Sequence, residues 1–204
     1  MNPAGDYTYM IKTMKGKYEN GSKVVGIIFA SPNESLARDE ILMRIPDFNQ
    51  ASGGDIDFFF AGYSKYNTNR ADQQEIMGPN SQKWYYSPRM FYAFVDNIED
   101  ISRWKYSGVT DLLLLEFRGD TLQFNKVITI CINKNIKEES IRSVGELFQR
   151  IWNIAQRGGD IEEFRKDLTG KGFIDKLWAD ISNYRIARIF LPIYRYSLHD
   201  YSKK

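Results

Sequence analysis

The chain has 204 residues, 43% of them hydrophobic and 26% charged, which fits a globular domain with a sizeable core and excludes a disordered chain. A net charge of +2 is too balanced to mark the whole chain as a binder of nucleic acid or anionic membrane. The single cysteine, Cys131, excludes an intramolecular disulfide framework, and no run approaches the ~18 apolar residues of a membrane span.

Tyr7, Tyr9 and Ile11 alternate with polar residues and predict a short strand, followed by a turn over residues 15–22. The β-branched run 23–30 reads as a strand buried on both faces. Ser31-Pro32-Asn33-Glu34 has the form of a capping box. It predicts a helix carrying Leu36, Ile41, Leu42 and Ile45 that Pro46 ends or kinks. Gly53-Gly54 introduce a second apolar strand over 55–64.

Residues 65–83 are polar and without sustained period, and a loop of about nineteen residues is usually a lid or a binding loop. Ser87-Pro88 then starts a helix with Phe91, Phe94, Val95, Ile98 and Ile101 on one face. Two strands, 111–117 and 122–132, flank the turn Arg118-Gly119-Asp120-Thr121 and form an antiparallel hairpin. Asn133–Ile136 lead into one long helix with Ile141, Val144, Phe148, Ile151 and Ala155 inside, stopped by Gly158-Gly159. A second capping box at Asp160–Glu163 opens a short helix ending at Gly170. A last helix is expected from about Phe173, burying Ile174, Leu177, Trp178 and Ile181, with Pro192 interrupting it.

The expected architecture is α/β, a mixed β-sheet with helices on both faces. Residues 1–157 form the mixed α/β domain with its polar loop, and 158–204 form a helical C-terminal extension packed on it. The order βαβαββα over residues 23–157 resembles the thioredoxin-like topology. The resemblance implies a redox-inactive version. Ser31-Pro32-Asn33-Glu34 stands where that family has Cys-x-x-Cys, and Ser107-Gly108-Val109-Thr110 lacks its proline before the third strand. Fold alone carries no function.

One cysteine and one histidine exclude a Cys/His zinc site, and the place of His199 in the tail disfavours Ser-His-Asp hydrolysis, which needs a base held by structure; no cofactor is implied. No phosphate-loop motif is present. Ser31 and Asn33, at a strand-to-helix turn, are the anion-binding candidates, a place for a nucleotide or other small-ligand sensor. Asp57, Asp111 and Glu116 loosely echo the metal carboxylates of nucleases and phosphodiesterases, with Arg118 where such enzymes use lysine.

The polar loop is bounded by Tyr63, Lys65, Tyr66 and Arg70 on one side and by Lys83, Trp84, Tyr85, Tyr86 and Arg89 on the other. Aromatics interleaved with cations anchor protein interfaces and stack nucleic-acid bases. The C-terminal stretch containing Arg185, Arg188 and Arg195 could dock a partner or an anionic surface. The leading reading is a cytoplasmic, non-enzymatic binding or protein-interaction module with an aromatic recognition loop. A protein is its first expected partner, with a nucleotide or nucleic acid second.

Overall fold

The computed structural model describes residues 1–18, 21–52, 54–68, 71–169 and 198–203. Gly53, Arg70, Gly170, the helix expected from Phe173 and the basic stretch around Arg185 lie outside the described residues. Strands β1 (Asn2–Ala4), β2 (Ser22–Phe29), β3 (Asp57–Ala61), β7 (Asp111–Arg118), β8 (Thr121–Cys131) and β9 (Leu198–His199) form one sheet in the order β1-β3-β2-β7-β8-β9. β1, β3 and β2 run parallel, whereas β2, β7, β8 and β9 pair antiparallel. A second, three-stranded sheet contains β4 (Tyr63–Ser64), β5 (Gln74–Met77) and β6 (Lys83–Tyr86) in the order β4-β6-β5. The molecule is therefore a mixed α/β protein, as its pattern predicts.

The main sheet is buried on both sides. Along β2, Val25, Ile27 and Phe29 point one way and Val24, Gly26 and Ile28 the other. On the first face Phe29 meets Phe91 and Phe94 of α3 (Pro88–Ile101) at 6.3 and 6.0 Å between ring centres, and Trp104 at 4.7 Å. On the second face Phe58 meets Phe148 of α5 (Val144–Gln156) at 5.1 Å, and Phe148 stacks on Phe48 of α2 (Ile45–Ala51) at 4.7 Å. Gly26 is required here, because a Cβ on it would lie 2.4 Å from the Phe58 ring.

Several expectations are corrected. The segment at Tyr7 is α1 (Tyr7–Lys17), not a strand. Asp6 caps it by accepting from the Tyr9 amide at 2.7 Å, and Met10 and Met14, four apart, supply its buried face. The Ser31–Glu34 capping box does not form. Ser31 Oγ instead accepts from the Asn33 amide, and the chain continues through a π-helical turn (Ala37–Ile41) and a 3-10 turn (Leu42–Arg44). Pro46 opens α2 rather than ending a helix, since a proline in the first turn loses no internal hydrogen bond.

The long helix after β8 is two, α4 (Ile132–Lys137) and α5, separated where Glu139 takes φ +56°. Ser143 restarts the helix by accepting from the Glu146 amide, so Ser143-x-x-Glu146 was a readable start signal. Ile101 is exposed at the end of α3. In the hairpin, Gly119 and Asp120 both have positive φ, as a two-residue turn between twisted strands needs. Within 158–204, α6 (Ile161–Thr169) packs beside α5 and the hairpin. β9 then pairs with β8, so that region is not wholly helical. His199 sits in this strand, its exposed ring stacked on Tyr201 at 5.3 Å. Among the described residues no helix is long and apolar enough to cross a membrane.

Candidate functional site

The polar loop contributes β5 to the second sheet and leads into β6, and its local geometry starts at Gly62. This residue takes φ +82° and approaches α3 so closely that a Cβ would lie 2.6 Å from Cα of Phe91. The chain thus leaves β3 and runs over the start of α3 as β4. Ser87 donates its amide to the Gly62 carbonyl at 3.1 Å and caps α3, which fixes the return of β6 to the same place.

Strand alternation then divides the candidate recognition residues between two faces. Tyr63 pairs with Tyr86, and Tyr86 with Gln74; Trp84 pairs with Ile76. The three aromatic side chains turn inward. Tyr63, Trp84 and Tyr86 are each at most 1% exposed. Tyr63 donates to the Ala30 carbonyl at 2.7 Å, and burial pushes its phenol well above the usual range. Tyr86 donates to Ser31 Oγ at 3.2 Å, and Trp84 lies edge-on to Phe60 at 5.5 Å. All three are core residues, which removes them from the recognition surface predicted for the loop. The period of two does this, because consecutive residues of β6 cannot share a face.

The outer face keeps the others. Ser64, Tyr85 and Glu75 form one cross-strand row, and Lys83 and Met77 the next. Lys83 makes an ion pair with Glu75 at 2.9 Å. Tyr85 is half-buried, Tyr66 is 71% exposed, and Arg89 is exposed in the first turn of α3. Lys65 lines two depressions. One, of about 130 Å³, lies between the start of α1 and β4, with Tyr9, Tyr66 and Met90 in its wall. The other, of about 370 Å³ and more open, is bounded by Lys65, Gln82, Lys83 and Tyr85. Lys65 makes no ion pair with a described residue, whereas Asp6, at the first depression, already caps α1. Tyr9 and Met90 join the site without having been predicted. Reading Tyr9 as strand hid it, and the Asp6 cap before a Met10/Met14 spacing was the signal that α1 is a helix.

The anion candidates are otherwise engaged. Ser31 Oγ accepts from Tyr86 and from the Asn33 amide, and Asn33 Oδ1 accepts from Gln74 Nε2 at 3.1 Å. The Glu34 carboxylate lies in the same turn, hydrogen-bonded by Thr110 Oγ1 and Asn133 Nδ2, with Asp111 nearby. Two acidic groups beside the turn oppose an anion there. Burial raises the Asp111 carboxyl above its ordinary range despite hydrogen bonds from the Ser107 amide and hydroxyl. The Cys131 thiol is half-buried and also bonds to Asp111.

The three proposed metal carboxylates are not brought together. Asp57 pairs with Val25 of β2, and Asp111 with Phe29, so four residues, or roughly 13 Å, separate them along the strand. Glu116 follows Leu115, the partner of Val25, so it points to the face opposite Asp57. Asp57 is held instead by Lys17, Tyr18 and Asn2. Burial pushes its carboxyl up, but the hydrogen bonds from Lys17, Tyr18 and Asn2 and the Lys17 charge prevail and leave it low. Among the described residues no group of three or more His, Cys, Asp or Glu is placed to hold a metal ion.

No protein-family model, curated protein or solved structure matches the chain. The resemblance to the thioredoxin-like topology thus rests on element order alone.

Proposed function

We propose that this protein is an interaction module that binds a protein partner across the outer face of the small sheet. The observation that carries the reading is the pair of depressions that share Lys65 in their walls, flanked by exposed Tyr66 and half-buried Tyr85. Tyrosines offer large, rigid contact area with a polar tip, which suits the centre of an interface. A nucleic acid is the weaker reading. Its affinity grows with the number of phosphates neutralised, and here Lys83 is already paired with Glu75.

The test is affinity capture from the native host with the wild-type chain, Tyr66→Ala and Tyr85→Ala. A protein retained by the wild type and lost by both variants, at unchanged circular dichroism and melting temperature, supports the reading. Identical capture by all three chains overturns it.

A further inference from the structure

The groove's chemistry specifies its occupant more narrowly, and this step rests on the interaction reading above. We infer that the groove takes an extended partner segment in which one acidic side chain is flanked by apolar ones.

The charges of the groove decide the central position. Of the cations lining the two depressions, Lys83 is matched by Glu75 at 2.9 Å, and Lys65 makes no ion pair with a described residue. An ammonium without an ion-pair partner among the described residues calls for one carboxylate, since a run of acids would meet Asp6 and Glu75 as well. The flanking positions follow from what lies on either side of Lys65. Met90, Tyr9 and Tyr66 wall the smaller depression, and Tyr85 walls the larger, so each side offers apolar surface with polar tips. In an extended segment alternate side chains point the same way, about 6.6 Å apart. An apolar, acidic and apolar side chain at alternate positions would therefore lie in one row along the groove.

The experiment uses the full chain and short fluorescein-labelled peptides with leucine, X and leucine at alternate positions, separated by serine, where X is Glu, Gln or Lys. Fluorescence polarisation compares the wild type with Lys65→Glu. The wild type should prefer the Glu peptide to the Lys peptide by about fivefold, the scale of one exposed ion pair, and Lys65→Glu should reverse that order. Equal binding of the three peptides, absence of binding, or a preference that Lys65→Glu leaves in place overturns the inference. Tighter binding of a thymidine oligonucleotide than of any peptide overturns it in favour of nucleic acid. If the peptides fail while Tyr85→Ala still loses a captured protein, the interaction reading stands and only the acidic specificity falls. If neither Tyr66→Ala nor Tyr85→Ala changes the capture, both fall.

Discussion

Residues 83–86 place two kinds of surface on opposite sides of one strand. Trp84 and Tyr86 face the core, while Lys83 and Tyr85 face outward, although all four adjoin in sequence and three are aromatic. What separates them is the pleat, which turns each successive side chain over, and the cross-strand neighbours it meets there. Inward the neighbours are Phe60, Tyr63 and Phe91; outward they are Ser64, Glu75 and Met77. An aromatic cluster in a sequence therefore says little about binding until its alternation is resolved.

The strongest way to break this contrast is truncation on each side. Trp84→Ala should cost about 3–5 kcal/mol, because it deletes a fully buried indole in contact with Phe60 and Tyr63. No hydrogen-bond partner of Trp84 Nε1 exists among the described residues, so the loss is one of packing rather than of a polar contact. Tyr85→Ala should cost about 1 kcal/mol or less, as a half-exposed position leaves a smaller void. Urea denaturation of both variants measures the difference. Similar midpoints would mean that the two faces are equivalent and that Tyr85 is part of the core.

A smaller effect tests the same lesson on one residue type. Asp57 and Asp111 open neighbouring stretches of the sheet on one face, yet their partners move them in opposite directions. Asp57 is held below its ordinary value of 3.8. Its contribution is complete above that value and is lost as pH falls through the lowered one. Asp111 is raised, so its contribution is complete below its ordinary value and is lost as pH rises through the raised one. Asp57→Asn should be less stable than the wild type near neutral pH, with the gap closing on acidification. Asp111→Asn should gain on the wild type as pH rises through the carboxylate range. Urea midpoints from about pH 3 to pH 7 give both slopes, and parallel curves for the three proteins would remove the distinction.

The sequence made the apolar frame legible because period and turn chemistry act locally. β2, β7 and β8 stand where their β-branched and leucine runs placed them, and the Ser87 and Asp160 caps start the expected helices. It misled where tertiary contacts outbid a local pattern. Glu34 leaves its cap position to meet Thr110 and Asn133, which are 76 and 99 residues away in the chain. The small sheet was hidden for a similar reason. β5 is mostly exposed and holds no apolar run, so only its pairing with β6 makes it a strand. The site was legible in part: Tyr66, Lys83 and Tyr85 were readable candidates, but the union with Tyr9 and Met90 requires the chain to fold back over α1 and α3.

The outer face can also be sharpened without touching an aromatic. Glu75→Gln removes the carboxylate that Lys83 Nζ meets at 2.9 Å and leaves β5 an exposed strand residue of nearly the same shape. An exposed ion pair of this kind contributes little to folding, so the urea midpoint should stay within experimental error of the wild type. The groove, however, would then present Lys83 as a second cation without an ion-pair partner among the described residues, beside Lys65. Binding of the Glu peptide should tighten and grow more sensitive to salt, while binding of the Gln peptide should change less. The faces should differ here in kind as well as size: a change on the inner face should shift stability, and this change on the outer face should shift peptide binding alone. A loss of stability in Glu75→Gln without any change in peptide binding would show that the Glu75–Lys83 pair holds the strand rather than tuning the surface.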